Sequence, residues 1–132
     1  MTLFEQSLIE KTLENAGLVK PYLLDAVGAI KGKENCFVIY YYEKEFGNQR
    51  LTQRLVVVPQ NGDSLGLYGI PERPTEIKNS TVYFNFSKKL GNHIDFNVHE
   101  LPENIYLDGE LYDLDLYKKT STNLKVERVN VN

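Results

Sequence analysis

Hydrophobic periodicity changes once along this chain, near Gly32, and does not change back. Upstream, Phe4, Leu8, Ile9, Thr12, Leu13 and Ala16 recur at the 3.6-residue spacing of a helix, with Glu5, Glu10, Lys11 and Glu14 turned away from them. Downstream, apolar residues alternate with polar ones or run in short bursts of β-branched and aromatic side chains, as strands do. Helices first and strands afterwards excludes parallel β-α-β winding. The expected class is therefore α+β: two N-terminal helices packed on a strongly curved antiparallel sheet of six to eight strands, which can curl into a partial barrel.

The first helix is expected over residues 2–16. Thr2 and Glu5 have capping-box spacing, and Gly17 supplies a left-handed stop. A second helix is expected from about Pro21 to Ile30, with Pro21 at its first position and Leu23, Ala26, Val27 and Ile30 at helical spacing. Together they form a helical cap over about 2–31, with the sheet over about 35–131.

Cys36–Tyr42 is apolar on both faces and reads as a central strand, with Arg50–Pro59 as its hairpin partner. A short strand follows the Asn61-Gly62-Asp63 turn at Ser64–Ile70, where Gly66 and Gly69 mark a bulge or the close approach of another segment. Pro71-Glu72-Arg73-Pro74 must be a loop. Thr81–Phe86 and Ile94–Leu101 alternate cleanly as strands. Asp108-Gly109, between Ile105-Tyr106-Leu107 and Leu111-Tyr112, is the strongest hairpin signal, because a type I′ turn needs positive φ at both central positions. The last strand, Leu124–Val131, slips phase between Val126 and Val129.

A chain of 132 residues with 42% hydrophobic side chains can bury a single core without disulfide or metal. Its net charge of −3 argues against direct nucleic-acid or anionic-membrane binding, which clustered Lys and Arg drive. Leu3, Phe4, Leu8 and Ile9 are interrupted by Glu5, Gln6 and Glu10, so neither a secretory leader nor a membrane span is expected. A lone cysteine, Cys36, fits a cytoplasmic location and is expected to be buried and inert.

Charge is unevenly spread. From His93 to Tyr117 there are seven carboxylates and no Lys or Arg, whereas residues 1–92 carry eleven bases against ten acids. Asp95, Glu103, Asp108, Glu110, Asp113 and Asp115, interleaved with Tyr106 and Tyr112, are the candidate surface for a basic protein partner. The bland reading is a solvated face balanced by nearby lysines.

Other constellations are weaker. His93, Asp95, Asn97 and His99 would share one strand face, but the two histidines stand roughly 20 Å apart on an ideal strand, too far for one metal. The glycines at 62, 66 and 69 open no helix and form no phosphate cradle. No catalytic motif, cofactor or metal site is indicated. Oligomeric state is not legible.

The leading expectation is a small non-enzymatic intracellular binding protein, of the immunity or counter-defence kind, that docks its acidic hairpin on a basic partner. One alternative is a small-ligand module with an apolar pocket between helices and sheet, lined by Tyr40, Tyr42, Tyr68, Phe84 and Phe86. Another is a structural subunit of a phage or secretion assembly.

Overall fold

The computed structural model describes residues 3–47, 50–60, 64–85, 91–119 and 126–129. Thr2, the 61–63 turn, Phe86 and both ends of the expected last strand lie outside them. The described residues hold one helix, α1 (Leu3–Asn15). The strands are β1 (Leu23–Lys31), β2 (Cys36–Phe46), β3 (Arg50–Pro59), β4 (Ser64–Gly69), β5 (Glu76–Lys78), β6 (Thr81–Tyr83), β7 (His93–Asp95), β8 (Asn104–Leu107), β9 (Glu110–Lys119) and β10 (Val126–Val129).

Helix α1 forms as its stripe predicts. Leu8, Ile9, Thr12 and Leu13 are fully buried. Each of the three aliphatic side chains contributes about 2 kcal/mol by leaving water. The Thr12 hydroxyl donates to the Leu8 carbonyl at 2.7 Å, so the one polar group on this stripe enters the interface satisfied. At the C-terminus the Gly17 amide donates to the Glu14 carbonyl and the Leu18 amide to the Leu13 carbonyl, a Schellman stop.

The expected second helix is instead strand β1. Its register against β2 runs Asp25↔Tyr41, Ala26↔Tyr40 and then Gly28↔Ile39, leaving Val27 as an extra, bulged residue. The bulge shifts the phase by one, so Val27 and Ile30, three apart, both pack into the same core. A period-2 strand thereby imitates helical spacing. Gly28 makes this possible: its φ of 155° suits glycine, and a Cβ there would lie 3.2 Å from the Ile77 Cδ1.

The sheet is antiparallel throughout, in the order β1-β2-β3-β4-β9-β10, with β8 paired to the first half of β9. A separate three-stranded sheet, β5-β6-β7, lies across it, with β5 against β1 and β7 against β8. The large sheet thus curls into a half-barrel whose open side the small sheet covers. The Ser80 hydroxyl donates to the Lys31 carbonyl at 2.6 Å and the Asp108 amide to the Gly91 carbonyl at 2.8 Å, fastening the two sheets at either end.

Two cores result, one on each face of the large sheet. On the convex face Tyr40, Tyr42, Val56, Val58, Leu65 and Leu67 meet the α1 stripe. On the concave face Ile39, Tyr41, Leu55, Val57 and Tyr68 meet Val82, Phe84, Ile94 and Phe96. Gly66 is a close-approach position: a Cβ there would stand 2.7 Å from the Leu101 Cδ1 and 2.8 Å from the Leu114 Cδ1.

The expected strand Ile94–Leu101 is much shorter. It stops at Asp95, whose carboxylate accepts the Asn97 amide at 2.8 Å and turns the chain away from the ladder. Residues 96–103 then form a strap across one end of the half-barrel. The Tyr68 hydroxyl donates to the Pro102 carbonyl at 2.6 Å and the Lys33 amide to the Val98 carbonyl at 3.1 Å, which pins the strap down.

Two buried tyrosines should answer oppositely to loss of their hydroxyls. Tyr68→Phe removes the strap bond and should cost about 1 kcal/mol. The Tyr42 hydroxyl is buried without a hydrogen-bond partner among the described residues, so Tyr42→Phe should be neutral or stabilising by up to about 1 kcal/mol. Denaturant midpoints at constant slope measure both. Equal losses would mean that the Tyr42 hydroxyl is in fact satisfied.

Candidate functional site

The Asp108-Gly109 turn has φ of 49° and 84°, the type I′ geometry that the dipeptide predicts. It sets the register Leu107↔Glu110, Tyr106↔Leu111, Ile105↔Tyr112 and Asn104↔Asp113. Ile105 and Leu107 point into the concave core, so Tyr106 and Leu111, side by side across the strands, point out. They are 48% and 64% exposed. Asp113, also exposed, lies on the same face.

The carboxylates do not gather into one surface. Asp95 sits on the small sheet, where it caps the end of β7. Glu103 precedes β8 on the concave side, and its backbone carbonyl accepts the Leu114 amide at 2.8 Å. Glu110 accepts a 3.3 Å hydrogen bond from the Tyr112 hydroxyl. Burial pushes the Tyr112 hydroxyl's pKa up, and the Glu110 and Asp108 charges add to the shift. Asp115 is bound to Arg128 of β10 at 2.6 Å. Asp113 is left beside the apolar pair, with Asp108 and Glu110 at the turn.

The second candidate set is divided by the sheet. Tyr40 and Tyr42 belong to the convex core, Tyr68 and Phe84 to the concave one, all buried. Phe86 lies outside the described residues. These rings are packed core, and the space between helix and sheet is filled by Leu8, Ile9 and Leu13.

A cavity of about 400 Å³ does open elsewhere, between the strap and the sheet end. Phe37, Leu101, Leu114 and Leu116 contribute apolar surface; Glu100, Glu103 and Lys118 are charged groups of its lining. Glu100 and Glu103 both belong to the acidic run read from the sequence, and Glu103 alone of this lining was among the candidate partner-binding residues. The alternation of β9 places Leu114, Leu116 and Lys118 on one face, but nothing in the strap's sequence says that it crosses there.

The histidines separate. His93 lies against the Tyr83 ring, whereas His99 meets Glu34 at 3.3 Å beyond the turn at Asp95. Cys36, expected to be buried, is partly exposed, because it opens β2 beside Lys31 at a sheet end. No helix among the described residues is long and apolar enough to cross a membrane.

Comparison of the chain with family models, with curated proteins and with solved structures found no match. Function must therefore be argued from these surfaces.

At the opposite end of the central strands, the Tyr41 hydroxyl donates to Glu43 at 2.7 Å and accepts from the Gln53 amide at 2.8 Å. The Arg73 guanidinium stacks on its ring and pairs with Asp25 at 2.9 Å. Burial, above all, raises the Tyr41 pKa from 10.0 to about 12. The unfolded chain ionises first, so this stabilisation is complete below pH about 10 and is lost as pH climbs towards about 12. Alkaline unfolding curves should show that loss, and Tyr41→Phe should flatten it. An unchanged curve would mean that Tyr41 ionises freely in the native state.

Proposed function

We propose that the chain is a non-enzymatic binding protein whose β8–β9 hairpin docks on a basic protein surface. The observation that carries this reading is the exposed Tyr106–Leu111 pair, set on a hairpin whose charged side chains as far as Tyr117 are all carboxylates. Single exposed apolar residues are ordinary, but an aromatic and a leucine adjacent across a rigid hairpin form a desolvable centre. Asp113 stands at its rim, and Asp108 and Glu110 lie at the adjoining turn, so that charge around the pair steers encounter and selects the sign of the partner. Arg128 already neutralises Asp115, which belongs to the scaffold in this reading. An immunity-like or counter-defence inhibitor is the concrete form, since carboxylates can occupy a site that normally holds phosphates.

Partner capture from host lysate, compared across variants and salt, tests the reading. The wild-type chain should retain a protein with a basic surface at low salt and lose it as salt rises. Tyr106→Ala with Leu111→Ala should abolish capture even at low salt, through an off-rate raised by about thirtyfold. Glu110→Gln with Asp113→Asn should slow association by about tenfold and flatten its salt dependence. Identical capture by all three chains would overturn the proposal.

A further inference from the structure

We propose that the cavity between the strap and the end of β9 is a binding site for a small organic cation, a primary amine carried on an aromatic or branched apolar body. The site lies on the concave side of β9, the opposite face from Tyr106 and Leu111, and does not depend on what the hairpin binds.

Size and shape come first. About 400 Å³ is within the range of small-molecule sites and admits a single ring with a short side arm. Phe37, Leu101, Leu114 and Leu116 offer that ring apolar contact. Leu101 reaches its place only because Gly66 beneath it has no side chain.

Charge decides the ligand's sign. Glu100 and Glu103 of the strap both line the cavity with Leu101, so a cation seated there has two carboxylates in its walls. Among the described residues Lys118 is the single lysine or arginine of the lining, and its cross-strand neighbour on β10 is Glu127. His99 is engaged by Glu34 at 3.3 Å. The field at the opening is therefore negative, and a neutral or anionic ligand of equal shape gains less there.

Preorganisation supports the same conclusion. The strap is held by the Tyr68–Pro102, Lys33–Val98 and Leu114–Glu103 hydrogen bonds, so the two carboxylates project from fixed backbone. Little conformational entropy then remains to be lost when a cation binds. Glu100 and Glu103 are both exposed, so the folded state does not require their charge.

Amide chemical-shift titration of the full chain tests the site with three probes of matched shape: 2-phenylethylamine, 2-phenylethanol and 3-phenylpropanoate. The amine should give saturable shifts confined to residues 99–103, 114–118 and their neighbours. The alcohol should bind about fivefold more weakly or worse, and the carboxylate not measurably. Glu100→Gln with Glu103→Gln should weaken the amine by about fivefold without changing the alcohol. Lys118→Gln should tighten the amine by about twofold, because a repelling charge is removed. Gly66→Ala, which pushes Leu101 out of its seat, should weaken amine and alcohol together. Equal affinity for amine and alcohol, preference for the carboxylate, or shifts scattered over other surfaces would each overturn the proposal.

Discussion

The structure depends on one constraint: strands β2 and β3 are apolar on both faces. Phe37, Ile39 and Tyr41 face one way and Tyr40 and Tyr42 the other, with Leu55–Val58 continuing the pattern on β3. A sheet of this kind cannot leave either face in water, so it must be covered twice. On the convex side the chain supplies the earliest cover available to it, α1. On the concave side it supplies the three-stranded sheet, and the strap after β7 closes one end. The cavity by the strap is a by-product of how that second cover meets the first sheet.

The same constraint explains why the carboxylates scatter. Alternation sends neighbouring residues of a strand to opposite faces, so a run of acids in sequence is divided as soon as the strand pairs. Glu103 goes to the concave side, while Asp113 and Asp115 go to the convex one, where Asp115 meets Arg128. Dispersal relieves the repulsion that a single acidic face would store. It also creates two distinct negative environments, one beside an exposed apolar pair and one around an apolar cavity.

Legibility of the sequence followed the same physics. The Asp108-Gly109 hairpin, the β2–β3 pairing and α1 with its Gly17 stop were all readable, because each rests on local geometry that few residues satisfy. Residues 21–30 were misread as helix because the Val27 bulge converts a period of two into a spacing of three, and periodicity alone cannot tell these apart. The strand expected to reach Leu101 was cut short by a side-chain bond of Asp95, a choice that alternation does not encode. For the site, the acidic hairpin was legible and its outward face was not. Leu111 gains its meaning only from its position across from Tyr106.

The cavity by the strap was invisible for a different reason. Its lining comes from the β1–β2 connection and the start of β2, the end of β3, the start of β4, the strap and the far half of β9, segments far apart in sequence. What joins them is a single absent side chain. Gly66 lies on a central strand where any larger residue would collide with Leu101 and Leu114. A glycine inside a strand costs roughly 1 kcal/mol of intrinsic preference, and here that cost is offset by the strap's contact with the sheet. Removing side-chain volume at one point of the ladder thus brings the strap's Glu100 and Glu103 over an apolar floor. Close approach at Gly66 is what converts a loop that merely covers the barrel end into one wall of a charged, concave site.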